Sequence, residues 1–425
     1  MQMPLIVAAA TQFEVALLVF GGLAILGALL SGIARDTLLS LTTMFVLVGF
    51  VLGAGGFDVL HFNAHSAFVD DLAIVALIVI LFRDGLEVEG EMLAEHWHLP
   101  LRKLVLAMPL TAGIVAVAAH TLTDLSWAES FLLGALLSPT DPVLSSGVVT
   151  NPRVPRVVRH SLNLESGLND GLALPAVLAL SATLAVGGGH FVWWRFVLED
   201  VTIGVATGLL LGFVGAVLMR REKRLEGGIP GYQKALYALG IAFATYGVAV
   251  LPPRGNGLIA VYIAAITLGI RRPDLRSYFE RQSADLVEIV KIGIFVVFGS
   301  LLTLHGLFTD GWAAVAIAAV ALLVARPAAV MVALTGTAID KPTRAFMGWF
   351  GPKGVSTMTF SLLVLDAGIV SGSRLFNLAA LVVLCSIVAH GFTDTIGADW
   401  IARRAERKSK AAEPESPPLV ASQVQ

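Results

Sequence analysis

The chain has 425 residues, 56% of them hydrophobic and 14% charged, with a mean hydropathy of +0.81. Soluble domains average about a quarter charged residues, so this composition excludes a water-soluble globular fold and predicts an all-α polytopic membrane protein. A formal net charge of −2 without a clustered basic face excludes a nucleic-acid groove, and the single cysteine, Cys385, excludes an internal disulfide.

A helix needs about 20 apolar residues to cross a bilayer. In chain order, thirteen apolar runs qualify as candidate spans: 13–33, 38–56, 68–83, 101–121, 128–149, 161–187, 196–219, 235–252, 256–270, 285–305, 311–336, 343–369 and 376–396. With the N-terminus outside, the odd-numbered connections hold nearly all the loop arginines and lysines, Arg83, Arg102 and Lys103 included. The outer connections hold only Arg195, Arg254 and Arg374. That asymmetry predicts an N-out, C-in topology. Residues 1–396 are therefore expected to form one transmembrane domain, and the charged, then Ser/Pro-rich residues 397–425 a short disordered cytoplasmic tail. No positively charged stretch precedes the first apolar run, so a cleaved signal peptide is not expected. Cys385 lies in an apolar run and is expected to be buried. No Walker-type loop, HExxH or His/Cys cluster appears, so neither ATP nor a resident metal or other cofactor is expected.

Few ionisable residues fall inside spans: Lys291, Arg326 and Lys353, with Asp141, Glu165, Asp170, Glu288 and Asp366. A charge at membrane depth is costly and marks function by default. In the fifth span, "SPTDPVL" places Asp141 before Pro142. Proline removes a backbone donor and clashes with the preceding turn, so a break around Thr140–Asp141 is predicted. Broken backbone exposes carbonyl oxygens, which suit a small cation and are tolerated only where they line a cavity. In the sixth span, "LNLESGLNDG" puts Glu165 and Asn169 on one helix face and Ser166 and Asp170 on its neighbour. Asp141 and Asp170 flank one cytoplasmic hairpin at similar remove, roughly 15–18 Å deep at 1.5 Å per residue.

Arg326 is the only arginine inside a span, and Glu165 is its expected structural partner. Lys291 follows Glu288 by one helical turn, as a local ion pair. The twelfth span carries a second break, "GPKG" (Gly351, Pro352, Lys353, Gly354), where the lysine offsets exposed carbonyl ends. Spans five and twelve are seven apart and run oppositely, as two inverted-topology repeats with crossed, interrupted helices require.

These pieces, with "ARP" at 325–327, "FRDGLEVE" at 82–89 and "VLVGFVLGAGG" at 46–56, resemble the monovalent cation/proton antiporter superfamily, specifically its NhaP-like sodium/proton branch. The resemblance covers nearly the whole membrane portion. It implies Asp170 as the cation- and proton-binding carboxylate, with Thr140, Asp141 and Ser166 as further ligands. Asn169 stands where electrogenic relatives carry a second aspartate, and Glu165–Arg326 match a helix-bridging ion pair. Lys353 replaces a common arginine. The resemblance also implies a homodimer in a bacterial or archaeal cytoplasmic membrane. The expected function is exchange of sodium, with lithium a further candidate, for protons, electroneutral at one to one. Potassium/proton exchange is the nearest alternative. A cation channel and an intramembrane aspartyl protease fit less well, the latter because its Gly-x-Gly-Asp setting is missing.

Overall fold

A computed structural model describes residues 12–34, 41–63, 66–88, 97–141, 146–149, 151–186, 192–220, 230–252 and 254–412. Pro142 and residues 413–425 of the expected tail lie outside these. Among the described residues the only strand-like pairing is an isolated bridge between Ala185 and Ile369; the rest is helix and connection.

In chain order the helices are α1 (Gln12–Ala34), α2 (Leu41–Leu52), α3 (Ala67–Leu86), α4 (His98–Leu122), α5 (Trp127–Leu136) and the short α6 (Ser146–Val149). Then come α7 (Arg156–Leu184), α8 (Trp193–Met219), α9 (Gly231–Ala249), α10 (Gly257–Arg271), α11 (Pro273–Gln282) and α12 (Ala284–Ser300). The last are α13 (Leu304–Leu307), α14 (Trp312–Ala333), α15 (Lys341–Trp349), α16 (Val355–Asp366) and α17 (Gly372–Ala412). They follow the predicted apolar runs in order. Five of them, α4, α7, α8, α14 and α17, have the length and apolarity to cross a membrane. The outward faces carry large apolar side chains, such as Leu18, Leu29, Leu236, Trp312 and Ile396. So much exposed apolar surface suits hydrocarbon rather than water as the surrounding solvent.

Three departures from expectation have physical causes. Residues 397–412 extend α17 and do not form a disordered tail. They are rich in Ala, Arg and Lys, good helix formers, and they bury Ala398, Ile401 and Ala402. Arg153 reaches Asp399 at 3.1 Å and Arg404 reaches Asp340 at 2.7 Å, which ties this extension to the segments that precede α7 and α15. Cys385 is exposed on α17 and not buried; hydropathy alone does not separate a lipid-facing residue from a core one. Helix α11 fills what read as a loop, because Leu275 and Phe279, four apart, are both buried on one face of an otherwise charged segment.

Packing between helices relies on small residues, as expected where the hydrophobic effect does not distinguish helix from lipid. A Cβ on Gly204, Gly208 or Gly212 of α8 would lie 2.9, 2.4 or 2.6 Å from the Asn256, Ala260 and Ala264 carbonyls of α10. Helices α2 and α12 approach as closely: a Cβ on Gly49 would sit 2.4 Å from Val296 O, and one on Gly299 would sit 2.2 Å from Val46 O. Gly299→Ala should therefore force the two backbones apart and cost about 1–3 kcal/mol, as overpacking does. Thermal unfolding in detergent should show a lower midpoint than wild type, whereas Gly113→Ala, which meets nothing within 4 Å, should leave it unchanged.

Candidate ion-binding site

The two interrupted helices meet at their breaks. Helix α5 starts on a capping box between Ser126 and Glu129 and stops at Leu136, earlier than the predicted break. Pro139 explains the shift: its ring crowds the Ala135 carbonyl and disfavours a helical Ser138. The chain then runs non-helically to Asp141. On the other side α15 ends at Trp349 and α16 begins at Val355.

Across the gap the Asp141 N–H donates to the Pro352 carbonyl at 2.8 Å, and the Val355 N–H donates to Asp141 Oδ2 at 3.0 Å. Lys353 Nζ donates to the carbonyls of Ser138 and Pro139 at 3.2 and 3.0 Å. Each break thus lends its charge to the other: a carboxylate sits at the N-terminus of α16 and an ammonium at the C-terminal end of α5, the signs the helix dipoles favour. Lys353 is 1% exposed, which leaves no room for a lysine snorkelling to the surface. Its backbone N–H donates to Ser386 Oγ on α17 at 2.8 Å.

Helix α7 faces this crossing with Glu165, Ser166, Asn169 and Asp170, all buried. Asn169 Nδ2 donates to both the carbonyl and the hydroxyl oxygen of Thr140, at 3.0 and 2.8 Å, which fixes α7 to the first break. Asp170 Oδ2 accepts a hydrogen bond from the Ser356 hydroxyl of α16. Asn169 Oδ1 and Asp170 Oδ1 are buried acceptors with no hydrogen-bond partner among the described residues. Ser166, expected as a ligand, donates its hydroxyl back to the Asn163 carbonyl at 3.1 Å. Small residues let α7 come close: the Tyr262 ring of α10 fills the space over Gly171, and its hydroxyl donates to the Gly167 carbonyl at 2.7 Å.

Two groups that the sequence reading placed outside the membrane belong to the site. Asp84, near the end of α3, is buried; its carboxyl is hydrogen-bonded to that of Asp170, and its charge bears on Asp141 as well. Arg83 holds it, with Nε and Nη2 at 2.9 and 2.6 Å from Oδ1. The "FRDGLEVE" motif was the available signal; loop counting from charge hid it. Lys291 is 3.7 Å from Glu288 but also faces Arg83, Asp84 and Asp141.

Lys103 is the second correction. Counted with the cytoplasmic loops, it is in fact fully buried and opens a π-helical turn, Lys103–Ala107. Its Nζ lies 2.6 Å from Glu165 Oε2, while Arg326 Nη1 lies 2.7 Å from Glu165 Oε1. Arg326 also follows a π-helical segment, Val320–Ala325. Such wide turns are rare and re-aim the residues beside them. Glu165 is thus shared by two cations from α4 and α14.

Glycine at 351 makes the Arg326 position available, since a Cβ there would lie 1.8 Å from Arg326 Nε. Gly351→Ala should evict the guanidinium and cost about 3–5 kcal/mol, as does breaking a buried ion pair from one side. Arg326→Met should cost a similar amount, and the double variant little more than either. Additive losses of thermal stability in detergent would contradict this linkage.

Among the described residues no group of three or more His, Cys, Asp or Glu forms a metal cage. The crossing gathers hard oxygens around Asp170, with the carboxylates of Asp84 and Asp141 near it. Residues 21–396 match the family described as sodium/hydrogen exchanger, transmembrane. The K(+)/H(+) antiporter NhaP of Alkalimonas amylolytica is 26% identical over 371 residues, covering 86% of this chain and 63% of that protein. The K(+)/H(+) antiporter NhaP2 of Shewanella oneidensis is 26% identical over 374 residues, covering 87% and 64%. The chain thus spans less than two thirds of the length of these relatives. The solved structure of the sodium proton antiporter MjNhaP1 from Methanocaldococcus jannaschii at pH 8 superposes with a TM-score of 0.78 at 18% identity, covering 92% of this chain and 100% of that one. By the match over residues 21–396, the chain belongs to the transmembrane sodium/hydrogen exchanger family, and it shares the fold of the NhaP antiporter of known structure.

Proposed function

We propose that the chain exchanges a monovalent cation for protons at Asp170, in a cytoplasmic membrane with its N-terminus outside and as a homodimer. The observation that carries this reading is a buried carboxylate, hydrogen-bonded to Ser356 and to a second acid, Asp84, placed where two broken helices cross. An anion there must be neutralised, and either a proton or a cation can do it, but not both at once. If the loaded site turns across the membrane only when neutral, the two fluxes are obligatorily coupled. Sodium is the first reading. Potassium is the second, favoured by the names of the two relatives with the K(+)/H(+) label.

The charge balance favours one proton per cation. Asn169 does not titrate and its amide is committed to Thr140. Asp84 is ion-paired with Arg83, and Glu165 with Arg326 and Lys103. With Asp170, hydrogen-bonded to Asp84, as the carboxylate that gains or loses the proton, a cycle moves no net charge.

Inside-out vesicles acidified in the presence of a pH dye provide the test. Adding sodium, lithium or potassium should restore fluorescence at pH 6–9, and Asp170→Asn should abolish the response while leaving the purified protein folded. Competition predicts that the apparent KM for the cation rises up to about tenfold per unit fall in pH, with the maximal rate unchanged. A response to none of the three cations would refute exchange, and a rate that follows an imposed membrane potential would refute the stoichiometry.

A further inference from the structure

Ser356 is the hydroxyl that reaches Asp170, and it comes from the second broken helix, not from Asp170's own helix. The first three residues of α16 each tie to a different part of the crossing. The Val355 N–H holds Asp141 Oδ2, the Ser356 hydroxyl holds Asp170 Oδ2, and the Thr357 hydroxyl donates to the Leu136 carbonyl at the end of α5. Ser356 is 5% exposed and Thr357 1%, so these groups have left water and their polar atoms are committed to the site.

We propose that Ser356 Oγ is a ligand of the transported cation and helps to determine which monovalent ion is accepted; this rests on the exchange reading above. A serine hydroxyl donates one proton and keeps two acceptor lone pairs. With the site empty, the O–H points at Asp170 Oδ2. A cation arriving at Asp170 is repelled by that proton and attracted by the oxygen behind it. Rotation about Cβ–Oγ turns the proton aside and presents a lone pair to the ion without moving the backbone. The other hydroxyl expected here, that of Ser166, is donated to Asn163 and points back along α7.

The candidate donors are Asp170 Oδ1, Asn169 Oδ1 and Ser356 Oγ, with the Asp84 carboxyl hydrogen-bonded to Asp170 beside them, all hard oxygens of the kind that bind small unpolarisable cations. Two come from α7 and one from α16. An ion held by both helices draws the second break onto the exchanging carboxylate, and the distance between the helices sets the ion radius that fits.

The same vesicle assay tests the assignment with Ser356→Ala, Ser356→Thr and Ser356→Cys, each checked for a monodisperse, folded protein in detergent. Alanine should raise the apparent KM for the preferred cation about tenfold, with a maximal rate within twofold of wild type and a changed sodium-to-potassium preference. Threonine keeps the oxygen and should restore most of the affinity. Cysteine, nearly the size of serine but with a soft sulfur, should behave like alanine; it carries the test if alanine does not fold. The assignment is overturned if alanine and cysteine leave KM within twofold for all three cations, if threonine is as impaired as alanine, or if only the maximal rate falls. Wild-type protein that exchanges no cation refutes the exchange reading instead, a result distinct from any of these.

Discussion

The structure depends on how two helices can be broken inside a membrane. A helix end buried without partners leaves carbonyls and N–H groups that neither lipid nor distant water can satisfy. Here each end borrows from the other. Asp141, carried by the first break, accepts from the N-terminus of α16, and Lys353, carried by the second, donates to the carbonyls that follow α5. Either break alone would be intolerable; crossed, each supplies the charge the other needs. The position of α7 follows, because Asn169 is bonded to Thr140 within the first break, and with it the position of Asp170.

The same logic separates acids that hold structure from the one suited to exchange. Asp84 is gripped by an arginine, Glu165 by an arginine and a lysine, and Asp141 by a helix N-terminus. Breaking the ion pair of Asp84 or Glu165 from one side strands its basic partner, at a cost of several kcal/mol. Asp170 instead accepts from the neutral Ser356 hydroxyl and is hydrogen-bonded to Asp84.

Much of this was legible in the sequence. Proline and glycine inside apolar runs marked both breaks, and the only arginine within a span pointed to Glu165. What stayed hidden was decided by three-dimensional direction. Lys103 stands at the entrance of its span, where a lysine reads as a loop residue until a π turn rotates it inward. Asp84 follows an arginine at the end of α3, and a hydropathy reading ends the span on that arginine, one residue short of the acid. Ser356 looked like one more small residue in "GVSTMTF", because no local rule says which of three successive hydroxyl or apolar side chains faces an acid on another helix. The stretch between 397 and 407 misled for the opposite reason, since Arg403, Glu406 and Arg407 are the exposed side of a helix that buries Ala398, Ile401 and Ala402 on the other.

The seam around Asp170 also explains why the shell is thin. Helix α3 brings Asp84, α10 brings Tyr262, and α7 meets both through glycines: a Cβ on Gly167 would be 3.2 Å from the Asp84 carbonyl, and one on Gly171 would fall within the Tyr262 ring. These contacts bring backbone against backbone and backbone against a flat ring, with little side-chain interlock. A cage of three or four charged ligands would bind a cation more firmly, yet it would also bind the helices to one another through that cation. An exchanger has to release its ion on both sides, and each release has to leave the helices free to part. On the proposed reading, neutral oxygens from Asn169 and Ser356 beside Asp170 and its hydrogen-bonded neighbour Asp84 meet that requirement better than a cage of charged ligands would.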